Sequence, residues 1–319
     1  MKRFLIKALK FSIIIVMVLY GIQYCIDSFL KSSLVCDPTW SKVFKGEIKT
    51  DIAVIGNSRA QFHYNPKIIS EITGVSCYNL GLSGTPINIF DIRWKAFINR
   101  NKLPSLLIID VDYNFLGSAK GVYEKYQYIP YVNTNEYTKI VKPIDKNLFL
   151  EQYVPCFKYK GQTVPIISKI SSAFSQNCDN FINGFNINNT IWDDNEWAIF
   201  KKKRLHEAVD SKKFHGLYAD GFSKLSSILD FSKKNNIKVI LVWSPQYIEV
   251  QKFKENQRRF VDSLINTLAT KYKLDYINFS TSKLVYDKSN FYNHSHLNYT
   301  GASEFSKQIA NYIKNKTAF

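Results

Sequence analysis

The sequence is poor in the residues and motifs that mark special architectures. Its 319 residues include only 13 Gly, 9 Pro and 5 Cys, too few for a collagen-like or low-complexity chain. No two cysteines stand in a C-x-x-C spacing, which argues against a zinc site or a thioredoxin-like redox site. Neither G-x-x-x-x-G-K-[ST] nor G-x-G-x-x-G occurs at a predicted strand end, and no dense carboxylate cluster is visible for a metal. We therefore expect no cofactor and no metal, and a phosphate-handling enzyme is a weak hypothesis.

Apolar residues, in contrast, are abundant enough to build a sizeable core. Hydrophobic residues make up 45% of the chain and charged residues 22%, a balance typical of globular proteins. This composition excludes a disordered tail and a disulfide-stapled miniprotein. One large domain or two small ones remain open.

The N-terminus has the pattern of a membrane anchor. Four of the first ten residues are basic, and an apolar stretch follows from Phe11 to about Leu30. A helix over residues 8–30 rises ~1.5 Å per residue and is long enough to cross a hydrocarbon core of ~30 Å. No small-x-small cleavage site follows it, and Tyr24 before Cys25 is a poor match to lipoprotein processing. The sequence therefore favours an uncleaved single-pass anchor over a cleaved signal peptide.

The charge distribution predicts on which side of the membrane the body lies. Because basic residues precede the span, the positive-inside rule places the N-terminus in the cytoplasm and the body outside. The whole chain has a formal net charge of +17, and residues 32–319 retain 38 basic and 25 acidic residues. Such a body would be attracted to an anionic membrane surface or an acidic envelope polymer. A general abundance of Lys and Asn in the chain is an equally good explanation of the positive charge and requires no anionic partner. The anchor and the lack of a clustered Arg motif disfavour nucleic-acid binding.

Four cysteines lie beyond the span, at positions 36, 77, 156 and 178. An even number in an oxidising compartment allows a disulfide such as Cys156 with Cys178. Four free thiols that act as small hydrophobes are the preferred alternative.

From residue 51 onward, short apolar runs alternate with amphipathic stretches. This pattern predicts a parallel sheet with helices on both faces, a flavodoxin-like three-layer α/β/α fold. Pro66 is expected in the first turn of one helix, and Asp220 is expected to cap another. The predicted strands cover about residues 51–55, 75–80, 105–110, 238–243 and 274–279.

One long segment interrupts the alternation and sets the predicted domain boundaries. Residues 117–215 carry many aromatic residues without a clear strand–helix pattern, and we interpret them as an insertion or lid. The basic run Lys201–Arg204 within it is interpreted as a solvated helix face. The predicted organisation is a cytoplasmic stub and anchor at 1–31, a linker at 32–50 and an α/β domain at 51–319.

Three residues just beyond predicted strands are candidates for chemistry. Ligands of open α/β sheets bind beyond the carboxyl ends of the strands. Ser58 follows the first strand, Gly84 follows the second, and His296 follows the last. Taken singly, each has a structural explanation: a helix cap, a turn and a hydrogen-bonded histidine.

Together, the blocks that contain these residues resemble a known family. Gly56-Asn-Ser-Arg59, Asn79-Leu-Gly-Leu-Ser-Gly84 and Asn293-His-Ser-His-Leu-Asn298 are similar in order and spacing to conserved blocks of SGNH/GDSL hydrolases. With an N-terminal anchor, the chain is most similar to the bacterial extracytoplasmic branch that trims or transfers acyl groups on cell-surface glycans. The resemblance covers residues 51–116 and 216–315 but not the insertion.

The resemblance implies a role for each block. Ser58 would be the nucleophile and His296 the base that takes its proton, since a serine hydroxyl needs such a base to attack. Backbone N–H groups of Ser58 and Gly84 would stabilise the oxyanion, each donor contributing ~3 kcal/mol. Asn114 is the nearest match to the family's third oxyanion donor, although it is displaced from the expected position.

Two departures from the family pattern affect the expected catalysis. The usual Asp beside the nucleophile is Asn57, and the Asp expected three residues before the base is Asn293. An amide oxygen can hold the imidazole tautomer but carries no charge to stabilise the imidazolium. His296 therefore works as part of a dyad, is supported by another carboxylate such as Asp112 or Asp287, or has lost its function.

Three further residues near these blocks have no catalytic role by resemblance. Arg59 is a candidate for steering an anionic substrate, with an ordinary salt bridge as an equal alternative. His63 and His294 are interpreted as structural.

The leading hypothesis is a membrane-anchored ester hydrolase or O-acyltransferase that acts on acylated envelope carbohydrate, in association with envelope polysaccharide machinery. Nothing in the sequence separates hydrolysis from transfer. The competing hypothesis is a non-catalytic glycan-binding or polysaccharide-assembly protein that retains the fold.

Overall fold

In a computed structural model of the chain, residues 1–32, 37–118, 121–174, 180–204 and 213–316 are described. They form two compact units. The first joins residues 1–41 to residues 120–178, and the second joins residues 42–119 to residues 179–319. The predicted insertion is thus divided between the units: its first part accompanies the N-terminal helix, and its second part belongs with the sheet.

The second unit is built around a parallel five-stranded sheet in the order β2-β1-β3-β6-β7. A short antiparallel hairpin, β4–β5, lies between β3 and β6 in the sequence. The order confirms the expected flavodoxin-like arrangement, in which β2 lies on one side of β1 and all later strands of the sheet lie on the other side. The strands are β1 (Ile52–Ile55), β2 (Cys77–Asn79), β3 (Leu106–Asp110), β4 (Phe181–Ile182), β5 (Phe185–Asn186), β6 (Lys238–Trp243) and β7 (Asp275–Asn278).

The central strands are apolar because helices cover both faces of the sheet. Every residue of β1 and β3 is buried, as expected for parallel strands that pack on two sides. The helices are α1 (Lys2–Leu30), α2 (Thr39–Lys45), α3 (Ser58–His63), α4 (Pro66–Thr73), α5 (Ile87–Arg100), α6 (Asn135–Val141), α7 (Leu148–Tyr153), α8 (Thr163–Phe174), α9 (Asp194–Arg204), α10 (Phe214–Lys234), α11 (Ile248–Phe253), α12 (Glu255–Tyr272) and α13 (Tyr299–Lys316). Helix α13 packs on α3 and α4, while α10 packs on α5 and α12. This confirms the three-layer fold class.

Helix boundaries follow local signals in one case and tertiary packing in another. Pro66 is the first residue of α4, and the Asn65 side chain caps that helix by accepting from the Lys67 N–H, 3.1 Å away. Asp220 is not a cap, because α10 begins six residues earlier at Phe214. The buried side chains of Phe214 and Tyr218 extend the apolar stripe toward the N-terminus, so packing favours the longer helix.

The first unit consists of α1 and the segment that contains α6, α7 and α8. Helix α1 is long and apolar enough to cross a membrane. Residues 1–18 are exposed all round, whereas several residues from Leu19 to Leu30 are partly covered. Hydrogen bonds join this covered part to residues 153–159 of the same unit.

The cysteines within the described residues are free thiols. They are Cys25, Cys77 and Cys156. Cys36 and Cys178 lie outside the described residues, and so does the possible pairing of Cys156 with Cys178.

Candidate active site

Ser58 is the first residue of α3, directly beyond the carboxyl end of β1. Gly56 makes the turn with φ +152°, and a Cβ at this position would lie 2.8 Å from the Cβ of Ala60. Only glycine fits here without strain. The Asn57 side chain then accepts a hydrogen bond of 2.9 Å from the Arg59 N–H and caps α3. The turn thereby fixes the backbone that carries Ser58.

His296 reaches Ser58 from the loop between β7 and α13. An antiparallel bridge between Phe291 and Leu297 closes this loop, and the Tyr292 N–H donates to the His296 carbonyl at 3.1 Å. The His296 Nε2 atom lies 2.7 Å from the Ser58 Oγ atom. The structure therefore brings the two residues together at hydrogen-bond distance, as a nucleophile and its base require.

Asn293 fixes the orientation of the His296 ring. Its Oδ1 atom accepts hydrogen bonds from the backbone N–H groups of Ser295 and His296, at 2.9 and 3.0 Å. These two donors identify the facing atom as the amide oxygen rather than the nitrogen. The same oxygen lies 3.0 Å from the His296 Nδ1 atom. Nδ1 therefore carries the proton, and Nε2 is free to accept one from Ser58.

The surroundings of His296 favour its neutral form. The Tyr292 ring stacks on the imidazole at 5.4 Å between centroids, and the Phe62 ring lies 5.5 Å away. Burial, followed by the positive charge of Arg59, lowers the pKa of His296 to about 3. The imidazole is consequently a neutral proton acceptor at physiological pH.

Arg59 forms a buried ion pair, which was one of the two roles that the sequence allowed for it. Its side chain is almost fully buried, and its Nη1 atom lies 3.2 Å from the Asp112 Oδ2 atom. Its Nη2 atom donates to the Ser244 carbonyl. The nearby carboxylates of Asp110 and Asp112 raise the pKa of Arg59 against the opposing effect of burial, which is the largest influence on it. A guanidinium held in this way supports the turn around Ser58.

The two carboxylates considered as supports for His296 are committed to other partners. Asp112 accepts hydrogen bonds from the Asn57 Nδ2 atom at 3.2 Å and from the Asn114 N–H at 2.7 Å. Asp287 accepts from the Ser289 N–H at 2.9 Å. Within the described part of the chain, Asn293 is thus the side chain that holds the His296 Nδ1 atom.

The sequence interpretation missed a buried chain of hydrogen bonds, here called the relay, which leads from Asp110 to Leu297, the residue after His296. The Ser244 Oγ atom lies 3.0 Å from the Asp110 Oδ2 atom and 3.0 Å from the His63 Nδ1 atom. The His63 Nε2 atom accepts from the Leu297 N–H at 3.1 Å. His63 is therefore structural, as expected, but the structure it supports is the loop of His296. The available sequence signal was the polar pair of Asp110 and Ser244 at the ends of neighbouring strands.

His294 belongs to an aromatic cluster next to the loop. Its ring stacks on Phe200 at 3.7 Å and lies 6.3 Å from Trp197. Lys201 extends over the Trp197 ring, while residues 202 and 203 are exposed. Lys202 and Lys203 of the basic run thus lie on an exposed part of α9, as the sequence pattern indicates.

The predicted oxyanion donors Gly84 and Asn114 occupy the loops after β2 and β3, the two strands on either side of β1. Gly84 has φ +67°, a conformation that favours glycine, in the loop after β2. Asn114 is exposed in the turn after β3, where the Asp112 carboxylate holds its backbone N–H. Their roles in catalysis remain predictions.

A polar cleft of about 590 Å³ adjoins α3. Phe62, whose ring contacts the His296 ring, forms part of its wall. The other lining residues are mostly amides, namely Asn180, Asn186, Ile187, Asn188, Asn189 and Thr190. The cleft therefore offers uncharged hydrogen-bonding groups beside Phe62, which contacts the His296 ring.

Comparison with known proteins gives weak similarities. A family model that carries no functional description matches residues 193–318, less than half of the chain. No curated protein matches. Among solved structures, a protein named as an acylhydrolase from Bacteroides fragilis has 12% identity and a TM-score of 0.41, with 83% of this chain and 86% of the other covered.

Two further structures are similar at the same level. A lipolytic protein of the G-D-S-L family from Desulfitobacterium hafniense has 12% identity and a TM-score of 0.38, covering 83% of this chain and 98% of the other. A GDSL-like lipase from Bacteroides thetaiotaomicron has 12% identity and a TM-score of 0.42, covering 87% and 98%. Similarity this low does not identify an activity. The SGNH-like fold follows from the strand order and from the strand-end positions of the Ser58, Gly84 and His296 blocks.

Proposed function

We propose that this protein is a serine ester hydrolase or O-acyltransferase of the SGNH type. The observation that supports it best is the chain of contacts from Ser58 Oγ through the His296 ring to Asn293 Oδ1, with distances of 2.7 and 3.0 Å. It supplies a nucleophile, a base and a group that fixes the tautomer of the base.

The proposed reaction proceeds through an acyl-serine. Ser58 Oγ attacks the ester carbonyl carbon while its proton passes to His296 Nε2, and backbone N–H groups of Ser58 and Gly84 stabilise the resulting oxyanion. The imidazolium then returns the proton to the leaving alcohol as the C–O bond breaks. Water or a sugar hydroxyl, deprotonated by His296, then attacks the acyl carbonyl carbon. The bond from that carbon to Ser58 Oγ breaks, the imidazolium returns the proton to Oγ, and an acid or a new ester is released.

The cleft beside Phe62 supports carbohydrate as the substrate class. Its lining of four asparagines and a threonine provides the amide and hydroxyl groups that hydrogen-bond sugar hydroxyls. Among the described residues, none that lines the cleft is charged, which suits an uncharged acylated sugar. We propose an acylated envelope glycan as the substrate.

The proposed location is supported by the length and apolar composition of α1. We propose that this helix anchors the protein in a single pass, with a cytoplasmic N-terminus and the site on the outer side. In that position, the protein would serve bacterial envelope polysaccharide machinery.

Active-site labelling tests the proposal. Full-length protein in detergent is treated with a fluorescent fluorophosphonate, and we expect labelling of wild type but a loss of ~10³-fold or more in Ser58→Ala and His296→Ala. Ser295→Ala is the matched control, because it removes a neighbouring hydroxyl of the same loop and should keep the label.

Folded wild-type protein that stays unlabelled would contradict the hydrolase proposal. The presence of Asn293 where the family has an Asp would then indicate that catalysis has been lost. The polar cleft would be interpreted as a site for glycan binding only. In that case, glycan binding should persist unchanged in Ser58→Ala.

A further inference from the structure

Helix α3 carries a residue that bears on the candidate site at each of its two ends. It has six residues, with Ser58 first and His63 last. The His63 side chain is buried, and its Nε2 atom accepts a hydrogen bond of 3.1 Å from the N–H of Leu297, the residue after His296. One short helix therefore holds the nucleophile at one end and binds the backbone beside its base at the other.

The hydrogen bonds of the relay have a defined direction. A backbone N–H can only donate, so the Leu297 N–H fixes His63 Nε2 as the acceptor and leaves the ring proton on Nδ1. That proton is donated to the Ser244 Oγ atom, 3.0 Å away. The Ser244 hydroxyl in turn donates to the Asp110 Oδ2 atom at 3.0 Å. Ser244 therefore holds the His63 ring in the tautomer that accepts from Leu297.

Ser244 is bonded to both ends of α3. It follows strand β6 and is fully buried. Its Oγ atom accepts from the His63 ring, and its carbonyl accepts from Nη2 of Arg59, the residue after Ser58. Its own N–H donates to the Asp110 Oδ1 atom at 3.2 Å. Loss of the Ser244 hydroxyl would leave the His63 Nδ1–H buried without this acceptor, which is costly.

The position of Leu297 affects where the His296 imidazole lies relative to Ser58. The two residues of the loop are adjacent, so a shift of the Leu297 backbone moves His296 as well. The His296 Nε2 atom is 2.7 Å from the Ser58 Oγ atom. A misplacement of ~1 Å in such a geometry costs ~10²-fold in rate. The hydrogen bond from Leu297 to His63 therefore bears on reactivity as well as on stability.

We infer that His63 is a positioning residue of the proposed reaction and that Ser244 acts through it. His63 ties the loop of His296 to the helix of Ser58, and Ser244 sets the orientation of the His63 ring. The inference rests on the proposed function and adds two residues to the same site.

Two substitutions separate the hydrogen bonds of His63. In His63→Gln, the amide oxygen reaches the former place of Nε2 and can accept from Leu297, whereas the shorter side chain of His63→Asn reaches only Ser244. Full-length protein in detergent is treated with a fluorescent fluorophosphonate. We expect the labelling rate to fall ~10–100-fold in His63→Asn and much less in His63→Gln. Both variants lose one buried hydrogen bond, so a purely structural role would give them equal labelling rates, and that result would overturn the inference.

A double-mutant cycle tests whether Ser244 acts through His63. Ser244→Ala should lower the labelling rate ~tenfold on its own and have little further effect in His63→Asn, where the bond to Leu297 is already lost. Ser306→Ala is the matched control, because Ser306 is equally buried and its hydroxyl donates to the His63 carbonyl at 3.2 Å rather than to the ring. It should lower the Tm but keep the wild-type labelling rate. Rate effects of Ser244→Ala and His63→Asn that multiply would overturn the inference.

Hydrogen–deuterium exchange reports on the loop without any reaction. We expect faster exchange in the peptide that contains residues 291–298 in His63→Asn and Ser244→Ala, and wild-type exchange there in Ser306→Ala. Unchanged exchange in the first two variants would overturn the inference while Ser58 stays reactive. Failure of the proposed function gives a different result, in which folded wild-type protein remains unlabelled, and the inference falls with it.

Discussion

The side-chain amide of Asn293 performs two of the three tasks that a carboxylate would perform next to a catalytic histidine. It holds the ring orientation and it selects the tautomer, through an oxygen that two backbone N–H groups also bind. It carries no charge to stabilise the imidazolium. Burial, followed by the charge of Arg59, lowers the pKa of His296 to about 3, and the uncharged Asn293 amide does not oppose this shift.

Asn293→Asp should therefore increase activity. Replacing Asp by Asn in a Ser-His-Asp enzyme costs ~10⁴ in turnover chiefly through the wrong tautomer. Because the tautomer is already correct here, we expect a gain on the order of tenfold in kcat/KM. The carboxylate also raises the pKa of His296, so the acid limb of the pH–rate profile should move to higher pH. Ester hydrolysis measured across pH checks both effects.

Asn235→Asp is the control for added charge, since residue 235 is exposed at the end of α10. It should leave the rate and the profile unchanged. A lower rate in Asn293→Asp without a shifted acid limb would show that the amide takes part in a differently supported dyad.

At the scale of elements, the sequence predicted the strands and the residues that follow them, because short-range patterns encode both. The apolar runs of β1, β3 and β6 and the turn residues after them gave the parallel sheet and placed Ser58 and His296 at one edge. Residues 117–215 could not be predicted in the same way, because their partners lie far away in the sequence, as the contact of Tyr20 with Tyr153 shows. The relay from Asp110 to His63 escaped prediction for the same reason.

The loop after β2 and helix α3 pack too closely for any side chain at Gly81. A Cβ at this position would lie 2.5 Å from the Gln61 backbone nitrogen. Gly81→Ala should therefore separate α3 from the loop, at a cost of ~2–4 kcal/mol, and should reduce fluorophosphonate labelling of Ser58. Thermal unfolding of the full-length protein measures the stability change.

Gly74→Ala is a useful comparison, because nothing lies within 4 Å of a Cβ there although φ is +77°. It should destabilise the fold by about 1 kcal/mol and leave labelling intact. If Gly81→Ala lowered stability but kept full labelling, close packing of this loop would not be needed to position Ser58.

At the scale of the whole molecule, buried ionisable groups make stability depend on pH. Burial and, secondly, the charge of Arg59 hold the pKa of His63 well below 6.5, so His63 is neutral when folded and protonated when unfolded in mild acid. The contribution of buried, neutral His63 to the free energy of unfolding is fully present above pH ~6.5. It is lost as the pH falls below that value, by up to ~1.4 kcal/mol per pH unit. His296 acts in the same direction.

Asp110 acts in the opposite direction below pH 6. Burial raises its pKa to about 6, so the folded state keeps a proton that the unfolded state releases down to its ordinary pKa of about 3.8. We expect the Tm to fall on acidification from neutral pH, and Asp110→Asn to make that fall steeper below pH ~6. Calorimetry over this range measures both. A Tm that rises on acidification would contradict the assignment of His63 as a buried neutral group.

Ser58 and its base are 238 positions apart in the sequence. Chains are synthesised at ~5–20 residues per second, so roughly 10 to 50 s separate the appearance of the serine from that of its histidine. Strand β7, which leads into the loop of His296, is also among the last elements to emerge. Ser58 is therefore without the His296 imidazole while most of the chain is being synthesised, and the proposed reaction can begin only when the protein is nearly complete.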